Sequence, residues 1–321
     1  MVRPTLLYIS SEAVIPAKAG IQFRNAGFRV KPGMTIKVKG LLTQYTRIYN
    51  SMDISCVILT WNSEKYISKC LESLLRDLNE NQFSYEIFVV DNGSTDNTVE
   101  IVNSYKDKFP QCIFPIYLKK NMGTTFSRNL ALRKAEGAYI VIMDSDVEVK
   151  IGTMKPLIKI FQEYQNVGIV APKLLYPTGH VQKSVDHFPT LLNKLKRYFF
   201  LKMIEKRGEK EQIESLAEVD YAISAMWILK KDVLNKVGFL DEAIFYAPED
   251  VDYCLRTWLS GNKVLYCPEV TAIHQTQEAS RGFRISRLKI EHIKGLIYYF
   301  KKHKYLFRRP QVSGRLLSRC L

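Results

Sequence analysis

Apolar residues in the first half of the chain switch back and forth between two periods. ISCVILTWN, beginning at Ile54, is a β-rich apolar run that ends in polar residues, as a strand does. SEKYISKCLESLLRDL follows it, with Tyr66, Ile67, Cys70, Leu71, Leu74, Leu75 and Leu78 at helical spacing and Ser63 as the N-cap. The succession then repeats. YEIFVVDNGSTDNTVEIVNSY holds a strand over 86–90, a turn-rich loop and a helix capped around 94–96. CIFPIYLK and NMGTTFSRNLALRKAEG supply a third strand and helix. AYIVIMDSDVEV then brings Tyr139 through Met143 without alternation, which suits a strand covered on both faces at the centre of a parallel sheet. Three strand-helix repeats ahead of it predict a parallel, doubly wound α/β sheet with right-handed crossovers.

The second half is more mixed. VGIVAPKLLYPTGHVQKS reads as a strand and a hairpin-like turn at 177–179, and LLNKLKRYFFLK (191–202) as an amphipathic helix that either lies on an interface or packs on the domain. A strand over 221–229 precedes a helix whose stripe is Val251, Leu255, Trp258 and Leu259, with Pro248 in its first turn. LYCPEVTAIH is a further strand.

The net charge of +15 over 321 residues is concentrated at the ends. Residues 1–52 carry eight Lys/Arg and one acid, residues 281–321 twelve and one, and the body between them 27 and 30. A nucleic-acid-binding domain would carry its basic face through the fold, so nucleic acid is not an expected partner. Three segments follow: a basic extension (1–52), a domain (53–280) and a basic amphipathic tail (281–321). The extension lacks periodicity, and AVIPAKAGIQFRNAGFRVKPGMT resembles translated intergenic repeat sequence of bacterial genomes, so either the start is over-extended and Met52 is the true beginning, or the segment is a basic arm. Six cysteines without a CxxC pair fit reduced thiols, and with no apolar window of spanning length the expected place is the cytoplasm.

Candidate chemistry sits where the predicted strands end. Asp144 and Asp146 place two hard oxygen donors at the carboxyl end of the central strand, a position where open α/β sheets bind ligands. Asp91 stands at an equivalent strand end, suited to a nucleobase or ribose, although its Asn-Gly and Ser-Thr-Asp neighbours are also ordinary turn residues. Asn121 and Gly123 begin a helix whose amides can face an anion, and Arg128 offers a fork suited to phosphate or is a surface cation.

Together TWN (60–62), VVDNGSTD (89–96), NMGTTFSRN (121–129) and MDSD (143–146) resemble the ordered motifs of family 2 glycosyltransferases over roughly 53–280. The resemblance implies a GT-A fold: a Rossmann-like, mostly parallel sheet with helices on both faces and a small acceptor-side subregion. It implies a nucleotide-diphosphate sugar donor, with Thr60, Asn62, Asp91, Asn121, Gly123, Arg128, Asp144 and Glu249 at the donor and substrate. Asp144 and Asp146 then hold Mg²⁺ or Mn²⁺, with His274 as a further ligand. Glu249-Asp250 resembles the family's ED motif, which makes Asp250 the general base of an inverting displacement, although acids here also suit a helix N-terminus. PKLLYPTG and the overall spacing look most similar to rhamnosyltransferase-like members that build bacterial surface polysaccharide, a resemblance that implies dTDP-rhamnose as the donor. The acceptor is then a glycan or a polyprenyl-linked glycan. A nucleotidyltransferase would show a Gly-rich basic loop where this chain has TWNSEKY, and a nucleotide-sugar-binding protein without transfer would retain Asp91 yet lack a positioned base, whereas this chain keeps Glu249, Asp250 and His274. The tail SRLKIEHIKGLIYYFKKHKYLFRR either rests on anionic lipid at the inner face of the plasma membrane or packs across the domain.

Overall fold

The computed structural model describes residues 52–193, 213–275 and 287–312. Residues 1–51 of the basic extension, most of 191–202, the start of the tail and the residues after 312 lie outside them.

The predicted repeats form β1 (Ile54–Thr60), α1 (Ile67–Glu80), β2 (Tyr85–Asp91), α2 (Thr98–Lys108), β3 (Ile113–Tyr117), α3 (Thr124–Leu132) and β4 (Tyr139–Asp144). Then come β5 (Val147–Val149), α4 (Met154–Glu163), β6 (Val167–Leu175), β7 (Val185–Asp186), β8 (Ala217–Glu218), β9 (Tyr221–Ala222) and β10 (Met226–Lys230). The chain continues through α5 (Lys231–Val237), α6 (Glu249–Leu259), β11 (Lys263–His274) and α7 (Arg287–His303). Among the described residues one sheet runs β3-β2-β1-β4-β10-β6-β11-β5, with β8 beside β11, and β7 pairs with β9 separately. β1 through β4 are parallel, and β10 is antiparallel to both β4 and β6. The doubly wound expectation therefore holds for the first half, and the second half adds mixed strands.

Alternation along the strands divides the core. Cys56, Ile58, Val141 and Met143 pack with Leu71, Leu74 and Leu78 of α1 and with α4. Val57, Ile140 and Ile142 pack with Leu132 of α3, with Leu255 and Trp258 of α6, and with Tyr299 and Phe300 of α7. Both faces are covered, which accounts for the unbroken apolar run in β4.

Several local expectations change. Ser63 does not cap α1: its hydroxyl meets Ser145 Oγ at 2.8 Å, and a turn separates it from the helix, which starts at Ile67. The strand expected over 221–229 is broken between β9 and β10, because residues 223–225 turn toward β4 and Ala225 O accepts the Asp144 N–H. Pro248 precedes α6 rather than lying in its first turn, and the Ala247–Pro248 peptide is cis. Leu259 is 62% exposed at the end of α6, outside the buried stripe of Val251, Leu255 and Trp258. The turn at 177–179 is present, closed by Gly179 N–H to Tyr176 O at 2.8 Å. The tail packs through one face of α7, where Lys302 Nζ and His303 Nε2 lie 2.6 and 2.8 Å from Asp252 Oδ1.

Candidate active site

Strand register brings the first acids to one rim. Thr60 lies opposite Asp91, and Leu59 opposite Asp144, so the carboxyl ends of β1, β2 and β4 open on the same edge. β5 turns away from β4 and pairs antiparallel with the end of β11, with Val147 opposite His274. That pairing sets His274 Nε2 3.3 Å from Asp146 Oδ1. Ligand atoms of Asp144, Asp146 and His274 all lie within 4.8 Å of one another. Two carboxylate oxygens and one imidazole nitrogen at this spacing suit Mg²⁺ or, with its greater tolerance of nitrogen, Mn²⁺.

The surroundings of His274 favour that use. Its Nδ1 is 2.9 Å from Gln182 Oε1. An Nδ1–H donated there leaves the Nε2 lone pair aimed at the two acids, the orientation a metal-binding imidazole needs. Burial alone would lower the imidazole's pKa, but Asp146 and Asp144 outweigh burial and hold it above its ordinary value. A proton on His274 and a cation among the three groups are thus competing ways to offset the same negative charge.

Arg128 departs from the expectation of a phosphate-facing fork. It is 1% exposed, and its Nη2 bonds Asp144 Oδ1 and, at 3.2 Å, Ser224 O. Nη1 donates to Ser224 Oγ at 2.8 Å and lies 3.7 Å from Glu249 Oε1. The guanidinium is therefore a buried tie between the end of β4 and the start of α6. Glu249 is itself buried, and burial with the adjacent Asp250 pushes its pKa up to about 8 against the attraction of Arg128. Asp250, one residue on, is only partly buried, and its Oδ1 accepts the Val251 N–H at 2.8 Å. Two neighbouring carboxyls so differ in environment, one enclosed and one partly open.

The remaining loops are tied to one another. Asp91 is buried and accepts from Gly93 N–H at 3.2 Å, Ser94 N–H at 3.0 Å and Ser94 Oγ at 2.5 Å, so it shapes its own loop. Asn62, at φ 50°, donates its N–H to Ser94 Oγ and accepts from Thr95 N–H, both at 2.8 Å. Thr60 Oγ1 is buried beneath these loops without a hydrogen-bond partner. Two amides at the start of α3 are already engaged: Gly123 N–H goes to Asn121 Oδ1 at 3.0 Å and Thr124 N–H to Phe245 O at 2.7 Å. Gly123 has φ 90°, and a Cβ there would collide with Phe245 O, so glycine lets the 240s loop close onto α3.

Residues 55–238 match the family described as Glycosyl transferase family 2. The chain belongs to this family. Asp250 and His274 lie beyond the matched residues. Rhamnosyltransferase WbbL of Escherichia coli K12 is 25% identical over 257 residues, 79% of this chain and 94% of that protein. Poly(ribitol-phosphate) β-N-acetylglucosaminyltransferase TarS of Staphylococcus aureus is 34% identical over 116 residues, 36% of this chain, and the match spans only 20% of TarS. TarS 1–349 in complex with UDP-GlcNAc superposes with a TM-score of 0.51 at 25% identity, covering 73% of this chain and 62% of that one. The mannosyltransferase PcManGT of Pyrobaculum calidifontis, in complex with GDP-Man and Mn²⁺, has a TM-score of 0.55 at 19% identity, with 81% and 66% covered, a likeness of fold. The fold is GT-A.

Within this family 2 chain several residues at the site had no sequence signal of their own. Ser224 and Gln182 are single polar residues between strands, and they reach Arg128 and His274 only through the sheet. Asn92 reads as a turn residue beside Asp91, yet its Oδ1 accepts from Met122 N–H at 2.8 Å and Ser127 Oγ at 2.9 Å, tying the β2 loop to α3.

Proposed function

We propose that this family 2 chain is an inverting glycosyltransferase that moves a sugar, rhamnose from dTDP-rhamnose in the first instance, to a hydroxyl of a glycan or polyprenyl-linked glycan in bacterial surface polysaccharide synthesis. The supporting observation is convergence: Arg128 ties Asp144 to Glu249, which brings the early acid pair and the Glu249-Asp250 pair to the same rim. In this reading Asp144, Asp146 and His274 hold Mg²⁺ or Mn²⁺. Such a cation supplies Lewis-acid neutralisation of a diphosphate leaving group. Asp91 and Asn62 shape the loop against which the nucleotide lies, and Thr60 supports that loop from beneath. Arg128 and Gly123 are positioning residues rather than donor contacts.

Asp250 accepts the proton of the acceptor hydroxyl as oxygen attacks the anomeric carbon, and the carbon-to-phosphate oxygen bond breaks on the opposite side. Glu249 stays neutral at the same pH and keeps the start of α6 in place. The similarity to WbbL over 94% of that protein's length supports rhamnose as the first donor to test.

Purified protein offered a panel of nucleotide-sugars, with dTDP-rhamnose beside UDP- and GDP-sugars, should hydrolyse one donor class slowly when Mg²⁺ or Mn²⁺ is present and not after chelation. Asp146→Ala should shift the metal titration by at least about tenfold, since loss of even a group that only supports a ligand weakens a metal site about 10- to 100-fold. Metal-independent turnover, or an unchanged titration in that variant, would remove the cation from the scheme.

A further inference from the structure

α7 presents two faces of opposite character. Tyr299 and Gly295 are buried against the domain, and a Cβ on Gly295 would collide with Ala247 O, so this helix lies directly on the loop that leads into Asp250. The opposite side carries Ile290, Ile293 and Ile297, spaced by three and four residues and 44, 58 and 64% exposed. That spacing makes one stripe. Leu306 and Phe307, just past the helix, are exposed as well.

Charge decides what covers the stripe. Lys294 and Lys301 flank the isoleucines, and exposed Lys304, Arg308 and Arg309 continue the basic border. Glu291, the helix's one acid, is partly buried and engaged by Lys294 at 2.9 Å. A second copy of the chain would set this cationic surface against itself. An anionic bilayer offers both an apolar layer for the isoleucines and phosphate groups for the lysines.

We propose that the outer face of α7 docks this protein on an anionic phospholipid surface. The proposal rests on the transfer reading above and deepens it on the acceptor side. The bilayer would lie about one helix diameter, ~10–12 Å, from the loop entering Asp250. A lipid-linked acceptor, whose sugars project from the headgroups, is presented at that distance.

The test is co-sedimentation of the full chain with phosphatidylglycerol-containing vesicles, with phosphatidylcholine-only vesicles as the control. Wild type should bind the first and not the second. A basic residue near the surface contributes about 1 kcal/mol, or roughly fivefold, so Lys294→Ala with Lys301→Ala should weaken binding on the order of 25-fold. Ile293→Ser with Ile297→Ser should abolish sedimentation, and both pairs are exposed, so melting temperatures should stay at the wild-type value. Wild-type failure to bind, equal binding to neutral vesicles, or unaltered binding by either double variant overturns the proposal. So does an Ile293→Ser/Ile297→Ser variant whose only change is the dispersal of a dimer. Donor hydrolysis measured without vesicles separates the two ideas: docking with no turnover sinks the transfer reading alone, and turnover without docking sinks this one alone.

Discussion

At the scale of single residues, the site's logic lies in the unequal treatment of Glu249 and Asp250. Glu249 is buried beside Arg128 and Ser224, with its pKa raised to about 8, while Asp250 is partly open. A glutamine has the shape of a neutral glutamic acid, so Glu249→Gln should keep most of the turnover at neutral pH. Asp250→Asn removes the proposed proton acceptor and should lower kcat about 10²- to 10⁴-fold with the donor KM nearly unchanged. Steady-state kinetics of the two variants side by side decides the assignment, and the reverse ranking would make Glu249 the base. The raised pKa also fixes a sign. Above the ordinary carboxyl range and below about 8, metal-free folded protein holds a proton on Glu249 that the unfolded chain has released, so this group's share of stability falls as pH rises. Glu249→Gln should flatten that slope.

At the scale of elements, α7 is held by a charge knot rather than by apolar contact alone. Asp252 on α6 is 0% exposed and receives Lys302, His303 and Arg256. Burial alone would raise its pKa, but His303, Arg256 and Lys302 outweigh burial and lower it to about 2. An unfolded aspartate titrates near about 3.9, so the unfolded chain takes up this proton first as the solution is acidified. The stabilisation, about 2 kcal/mol, is therefore complete above about pH 4 and is lost as pH falls through about 2. Urea midpoints measured from pH 5 downward should decline in that window, and Asp252→Asn should reduce the decline while costing stability near neutrality. The element also explains an ambiguity of the sequence. Acids at 249, 250 and 252 all suit a helix N-terminus, and only the tertiary partners single out Asp252 as the carboxyl that anchors α7.

At the scale of the whole molecule, legibility follows the range of the interactions. β1 through β4 and their helices were readable because each period is written within about twenty residues and each strand is buried on both faces by its own neighbours. Asp144 and Asp146 were readable as a pair for the same reason. Arg128 was not, because its partners Ser224 and Glu249 lie 96 and 121 residues further along, and an arginine read locally is a surface cation or a phosphate fork. His274 needed β5 and β11 to pair before it could meet Asp146. The two halves of the site are stapled by α3, whose buried Asn129 accepts from Leu240 N–H at 3.0 Å and donates to Leu240 O at 2.9 Å and Glu242 Oε1 at 2.8 Å. Thr125 Oγ1 adds a bond to Ile244 O at 2.6 Å. The loop carrying the chain into Asp250 is thus located by the helix that also holds Arg128 against Asp144. Asn129→Ala leaves a buried backbone N–H and C=O without their partner, at a cost of roughly 2–4 kcal/mol. On the proposed mechanism its effect on catalysis should be selective: donor affinity, assigned there to the ends of β1, β2 and β4, changes little, while kcat falls at least about tenfold because the displaced Asp250 loses its approach to the acceptor. A folded Asn129→Ala protein with wild-type kcat would show that the base is placed without α3.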